Sequence, residues 1–590
     1  MRSLLAFVFS GLLVATPLAS AQNLAADGAQ QTFTYLTAQY FDLYFHANPT
    51  AGTSAGFHEY DDQYEDRSAK SIADEVAALH GLEKKLLEID PSALDAEPAA
   101  DYAILLGAVR SQLLQLEVIR AWEKNPDLYS SGATNAIFVL MERPYAPVNA
   151  RLRAAVAREK QIAASFEDAR RNLKNPPHIY TEIALEQIDD DVSFFQHDVP
   201  TAFADATDKQ AMEEFQQTNA AVIAAMKSYG AWMKSDLLAR SNGDFRYGAD
   251  TFSKALSYNE MVDTPLDKLL AIGLADLHKN QAEFARIARE IDPAKSPQQE
   301  LAELATQHPA PDQLLQAFHA RFDSEIGFIQ SHHIITIPSD QQPTLEETPP
   351  FMRATTQASM DPPGPFETHS TKAYFNVTLP DKSWSAERTN AYMAAFNVGT
   401  IVSTSVHEAY PGHYVQFLWQ DRFPSKIRKL INANTNVEGW AHYCEQMMLD
   451  EGYAQPGPGA TAEQVRQAKL IRLGQLQDAL LRDARFVVGI RMHTGVGGAM
   501  SFDDAVQFFV HEGYQSRPIA EMETKRGTSD ALYLYYTLGK LEILKLRADV
   551  QKKEGPSFSL QGFHDAFMRQ GPVPIKVIRK AMLHDDSPVL

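Results

Sequence analysis

The chain has 590 residues, more than the ~100–200 of a typical domain and enough to bury large cores. Its 45% hydrophobic and 22% charged residues, with 30 Gly and 32 Pro, exclude collagen-like and disordered classes. The balance of 54 basic against 75 acidic residues gives a net charge of −21, and no polybasic run offsets it, which argues against nucleic acid as a partner.

Residues 1–21 read as a secretory signal: Arg2 opens it, Leu4 to Val14 is apolar, and Ala19-Ser20-Ala21 is a small-residue cleavage site. The apolar stretch is shorter than the ~20 residues of a spanning helix, so no stable membrane insertion is expected after cleavage. The expected location is outside a bacterial cytoplasm, periplasmic or secreted. Cys444 is the only cysteine, which forbids an intrachain disulfide and suits a small buried filler.

Helical periodicity dominates the rest of the chain. Residues 29–46 align Phe33, Leu36, Tyr40, Phe41, Leu43 and Tyr44 largely on one stripe, and 101–122 do the same with Leu105, Leu106, Val109, Leu113, Leu116 and Val118. Further amphipathic stretches fall at about 151–174, 181–196, 208–239, 264–291, 297–322, 386–410, 426–453, 461–493, 502–513, 529–553 and 561–569. The polar run at 240–244 suggests a boundary between an N-terminal helical region, 22–250, and a C-terminal region, 251–590. Residues 336–366 are broken by seven prolines, and two strands are predicted beside this break: His333 to Pro338, rich in β-branched residues, and Lys372 to Leu379, which alternates. The expected fold is mainly α with a small sheet just before the segment beyond residue 380. Asp189-Asp190-Asp191 lacks the spacing of a calcium loop and reads as a solvated turn.

At the end of an apolar helix stands Val406-His407-Glu408-Ala409-Tyr410-Pro411-Gly412-His413, and 25 residues after His413 comes Glu438-Gly439-Trp440-Ala441-His442-Tyr443-Cys444-Glu445. Two imidazoles, an acid beside the first and a carboxylate on the next helix are the parts of a catalytic zinc site. On an unbroken helix the i, i+6 histidines would diverge by ~240° and ~9 Å of rise, so they could not share an ion. Pro411 and Gly412 offer the remedy, because proline ends the helix and glycine can take positive φ. Glu438, His442 and Glu445 fall on one helical face, and such a buried stripe needs a cation or partners.

These two motifs resemble the bacterial family called domain of unknown function 885, a gluzincin-like group regarded as zinc peptidases. Asn48-Pro49 to Gly56, Tyr374-Phe375-Asn376-Val377 and Gly571-Pro572-Val573-Pro574 resemble its weaker signatures, so the likeness spans nearly the whole chain after the signal. The resemblance implies a helical metallopeptidase with one zinc per chain held by His407, His413 and Glu438, and Glu408 as general base. Glu445 would orient a ligand imidazole, with His442 as an extra polar contact.

Arg526 through Tyr536-Thr537-Leu538-Gly539 resembles the family's Arg, turn and Tyr-x-x-Gly helix, with Thr528-Ser529-Asp530 where Pro-Gly is usual. Tyr536 is the choice for the oxyanion donor, with Tyr533 and Tyr535 as rivals. Arg491-Met492-His493 resembles another family segment, although Gly489 replaces its usual Asp, and makes His493 a candidate substrate contact. The expectation is an exported zinc peptidase acting on a peptide substrate. The alternatives are an amidohydrolase on a non-peptide amide and an inactive peptide-binding protein on the same scaffold.

Overall fold

A computed structural model describes residues 18–349, 353 and 356–590, with side chains from residue 28 onward. Residues 1–17 of the expected signal lie outside the described residues, and the first described helix runs Leu18–Ala47. The fold is mainly α, as the periodicity predicts. Several helices start where a short polar side chain can accept a backbone N–H: Ser68 before Ala69–Leu87, Ser296 in a capping box with Gln299, and Thr461 in a capping box with Gln464 at the head of Ala462–Thr494.

Polar caps and prolines also divide helices that the sequence reads as continuous. The 297–322 stretch becomes Pro297–Leu304 and Leu314–Ser331, because Pro309 and Pro311 fall between them. The 386–410 stretch becomes Ala386–Met393 and Val398–Glu408, the second capped by the Asn397 side chain, which accepts from Gly399 and Thr400. The 426–453 stretch splits into Lys426–Leu430 and Asn434–Asp450, and the last long helix starts at Tyr535, not at 529. Asp189, Asp190 and Asp191 lie in the helix His178–Ser193, not in a turn, and Asp191 is buried against Thr134 at 2.8 Å. Burial raises the Asp191 pKa to about 7.

The sheet has three strands in the order β1-β3-β2: β1 is Thr344–Glu347, β2 Ala358–Asp361 and β3 Tyr374–Val377. β1 pairs parallel to β3 with Thr344 opposite Tyr374, and β2 pairs antiparallel with Ala358 opposite Val377. The strand expected at 372–379 is thus the central β3, with Phe375 packed on Phe318 and Phe322. The strand expected at His333–Pro338 does not form. Its backbone is satisfied by side chains instead: Asp565 accepts from Thr336 N, Trp419 Nε1 donates to the Thr336 carbonyl, and His564 Nδ1 bonds the Ile334 carbonyl. Ile334 and Ile335 are buried, and at Ile334 and Thr336 these bonds take the place of a ladder.

The largest apolar cluster joins residues between Phe33 and Leu113 to residues between Leu314 and Val589. The N-terminal helices therefore pack directly against the elements that carry both motifs. A second cluster lies within residues 64–237, and a third surrounds the long helix Ala462–Thr494.

Candidate metal centre

The i, i+6 obstacle is removed by a break in the chain. The motif helix Val398–Glu408 stops, the Tyr410–Pro411 bond is cis, and a new helix, His413–Leu418, starts at the second histidine. Gly412 N donates to the Val406 carbonyl at 3.0 Å, folding the turn back on the helix end. The glycine is needed for a different reason from the one the sequence suggests. Its φ is −68°, not positive, and a Cβ would sit 1.8 Å from the His407 carbonyl oxygen. The return brings the His407 and His413 rings to 4.8 Å between centroids, nearly perpendicular at 89°. Trp440 Nε1 donates to the Pro411 carbonyl at 2.9 Å and ties this turn to the helix Asn434–Asp450, which carries Glu438.

There the three expected ligands meet. Glu438 Oε2 lies 3.4 Å from His407 Nε2 and 3.4 Å from His413 Nε2, and the three ligand atoms fall within 4.8 Å of one another. Two ligands ~2.05 Å from a tetrahedral zinc would be roughly 3.3 Å apart, so these carboxylate–imidazole separations suit such an ion. Glu438 Oε2 is buried with no hydrogen-bond partner, an arrangement that is costly unless a cation occupies the gap. Burial pulls the His407 pKa down, but Glu438 and Glu445 outweigh it and lift it to about 9. Burial likewise opposes ionisation of Glu438, and the two imidazoles override it and hold its carboxyl well below the usual range.

Glu445, fully buried one face along the same helix, fixes the His407 ring. Its Oε1 accepts from His407 Nδ1 at 2.7 Å and from Arg482 at 3.0 Å, and its Oε2 accepts from His442 Nδ1 at 3.2 Å. The Nδ1 proton of His407 is thereby committed to Glu445, which leaves Nε2 facing Glu438 and His413. His442 is driven down to about 3, first by burial and then by Lys540, so its ring stays neutral and donates. Arg482 comes from the long helix, 37 residues beyond Glu445, with no motif to flag it. Glu408 is buried in the last turn of the motif helix, and its carboxylate has no donor among the described residues.

Tyr536 approaches from the helix Tyr535–Glu554. Its ring lies 6.4 Å from that of His407, and burial and then Glu438 raise its pKa, keeping it a neutral phenol. Arg526 Nη2 donates to the Tyr536 hydroxyl at 3.1 Å, so the phenol oxygen is satisfied and its own proton has no acceptor among the described residues. Asp530, part of the unusual Thr528-Ser529-Asp530 turn, accepts from Arg526 at 3.2 Å and from Tyr535 at 2.8 Å. The departure from the family pattern thus supplies the carboxylate that positions Arg526.

The other aromatic and histidine candidates lie elsewhere. Tyr533 precedes the helix Tyr535–Glu554 and is fully buried against Gly527 and Gly489. His493 is 1% exposed, packs among Phe245, Tyr247 and Phe252, and bonds the Gly527 carbonyl at 2.7 Å. Burial lowers its pKa to about 4, so it is a neutral packed ring that is not brought to the three ligands.

Two helix crossings hold these parts together, each at a pair of glycines. A Cβ on Gly539 would meet the Thr435 carbonyl oxygen at 1.8 Å, and one on Gly439 would meet Gly539 Cα at 2.5 Å, so the helices bearing Glu438 and Tyr536 touch backbone to backbone. Gly399 and Gly474 do the same where the motif helix crosses the long helix, with a Cβ on Gly474 2.5 Å from Gly399 Cα. Each glycine in the Glu-Gly-Trp and Tyr-x-x-Gly patterns is therefore the other's contact.

Two solved bacterial structures share this fold. A candidate lipoprotein of unknown function from Shewanella oneidensis matches with a TM-score of 0.77 at 24% identity, covering 93% of this chain and 99% of its own. A candidate lipoprotein from Colwellia psychrerythraea matches with a TM-score of 0.71 at 17% identity, covering 94% and 99%. No protein of curated function matches the chain. The model of the family described as bacterial protein of unknown function, DUF885, matches residues 49–582, which contain every residue of the site, and the chain belongs to that family.

Proposed function

We propose that the protein is an exported, zinc-dependent peptidase of gluzincin type. The observation that carries this reading is the convergence of His407 Nε2, His413 Nε2 and the unpartnered Glu438 Oε2 on one gap, with Glu408, buried and unengaged, next to His407 in the chain. Two imidazoles and a carboxylate suit one zinc per chain, and when bound such an ion supplies Lewis acidity that brings the pKa of water to about 7. Glu408 accepts a proton from the attacking water and later delivers it to the departing amine. Tyr536 donates its free hydroxyl proton to the carbonyl oxygen as negative charge develops there, and Arg526, by donating to the phenol oxygen, makes it a stronger donor. Glu445 and Arg482 keep His407 in one tautomer and orientation throughout.

The apolar leader and its small-residue end support export, and the description of both structural relatives as candidate lipoproteins agrees with an envelope location. The test is digestion of a peptide library by zinc-loaded protein, read by mass spectrometry, beside Glu408→Gln. Wild-type protein should cleave, while the variant keeps its zinc and loses about 10²–10⁴ in turnover. Absence of cleavage by the loaded wild type, or near-normal cleavage by the variant, would overturn the reading.

A further inference from the structure

A cavity of about 210 Å³ lies against the helices that carry His413 and Glu438. Phe417, stacked on the His413 ring at 6.2 Å between centroids, forms part of its wall, and so does Val437, the neighbour of Glu438. Among the described residues, Lys429 is the only charged one lining it. The Lys429 side chain is half-buried, and among the described residues it forms no ion pair or hydrogen bond; its ammonium stands 5.7 Å from the Phe366 ring centre.

A second, independent feature belongs to another residue of the same wall. Gln416 is 2% exposed, and its Oε1 has no hydrogen-bond partner. Its orientation is fixed by a chain of bonds: Asn436 Nδ2 donates to the Gly571 and Val573 carbonyls, so Asn436 Oδ1 is the acceptor for Gln416 Nε2 at 2.9 Å. The free Gln416 oxygen can therefore only accept. A small cavity beside a hydrolytic centre that offers one cation and one buried acceptor matches the carboxylate and the amide N–H of a peptide's last residue.

The cavity continues into a larger space. Ser54, Pro365, Lys429 and Asn432 also line a void of about 660 Å³ between the N-terminal helices and the motif elements. Asn432 also lines a third cavity, of about 510 Å³, which reaches Tyr535. The larger two lie within the ~300–1,000 Å³ of small-ligand sites, and the 210 Å³ cavity falls below it. Spaces of this size between helices take a short extended chain, not a folded protein.

We propose that Lys429 and Gln416 form a subsite for the free C-terminal residue of a short peptide, so that the enzyme acts from the carboxyl end. This deepens the peptidase reading and rests on it. Lys429 anchors the terminal carboxylate and Gln416 Oε1 accepts that residue's amide N–H, which leaves the preceding peptide bond on the side facing His413 and Glu438.

The probe is an N-acetylated tripeptide, as its acid and as its C-terminal amide, titrated calorimetrically into zinc-loaded Glu408→Gln protein. A charge-assisted contact predicts that the acid binds roughly ten- to a hundredfold more tightly than the amide. Adding Lys429→Gln should bring that ratio near unity, whereas Lys429→Arg, which keeps the charge, should retain most of it. Equal binding of acid and amide, or a preference unchanged by Lys429→Gln, overturns the subsite. Hydrolysis by wild-type protein is followed separately: loss of the terminal residue from the acid supports the subsite, and internal cuts made equally in both probes overturn it. If neither probe nor any library peptide is cleaved, the peptidase reading fails, while the titration still decides whether Lys429 reads a carboxylate.

Discussion

Replacing Gly539 with alanine inserts a methyl group 1.8 Å from the Thr435 carbonyl oxygen and 2.8 Å from Gly439 Cα. Ordinary contacts of a Cβ begin near 3.4 Å, so the crossing must open by about 1.6 Å, and both neighbours are backbone, which cannot rotate away. Overpacking of this kind costs about 1–3 kcal/mol or more. The same opening draws Tyr536 away from Glu438, because Tyr536 lies one turn before Gly539 and Glu438 immediately before Gly439. A displacement near 1 Å at a reacting geometry can cost ~10²-fold in rate. Thermal unfolding together with peptide hydrolysis is the assay, and Gly81→Ala is the control. Gly81 lies exposed within Ala69–Leu87, its added Cβ meets nothing within 4 Å, and the substitution should stabilise the protein by roughly 0.5–1 kcal/mol. A Gly539→Ala protein that melts with the wild type and turns over normally would refute the claim that this crossing sets the site.

Tyr536→Phe keeps the ring between Arg485 and Arg526 and removes only the hydroxyl, so turnover should fall on the order of 10²–10³ with zinc content and melting temperature little changed; unchanged turnover would return the ring to a packing role. Glu325 lies beneath the motif helix with Ser405 donating to it at 3.0 Å, and burial raises its pKa from 4.5 to about 8. A raised folded-state pKa contributes stability that is complete below 4.5 and is lost as pH climbs through about 8, on the order of a few kcal/mol. Glu325→Gln cannot ionise, so its melting temperature should gain on that of the wild type between pH 5 and pH 8; an equal difference at both values would contradict this.

The ligand set is readable in the sequence because its chemistry is local: each motif places its donors within a few residues, and Pro411-Gly412 announces the break that reunites the histidines. The reason for Gly412 is not readable there, since the clash that demands glycine involves a carbonyl five residues earlier that only the folded turn brings close. Arg482 escapes for the same reason: it reaches Glu445 from a separate helix, and an arginine in an amphipathic stretch carries no mark of its partner. The β-branched run after His333 misleads because its pattern reports burial, and Ile334 and Ile335 are buried, while the bonds that could have made a ladder go to the side chains of Trp419, His564 and Asp565. Conversely, β1 and β2 lie within the proline-rich break, where four-residue strands leave too short a pattern to see. Asp530 reads as a departure from the family turn and becomes informative only when Arg526 and Tyr535 are seen to converge on it.

The central claim is that His407, His413 and Glu438 hold one metal ion. Elemental analysis of protein purified without chelator, alongside His413→Ala, tests it most directly. The account predicts about one zinc per chain in the wild type and its loss in the variant, with melting of the variant no longer sensitive to added zinc. Full zinc retention by His413→Ala, or a wild-type protein that takes up none when zinc is supplied, would contradict it.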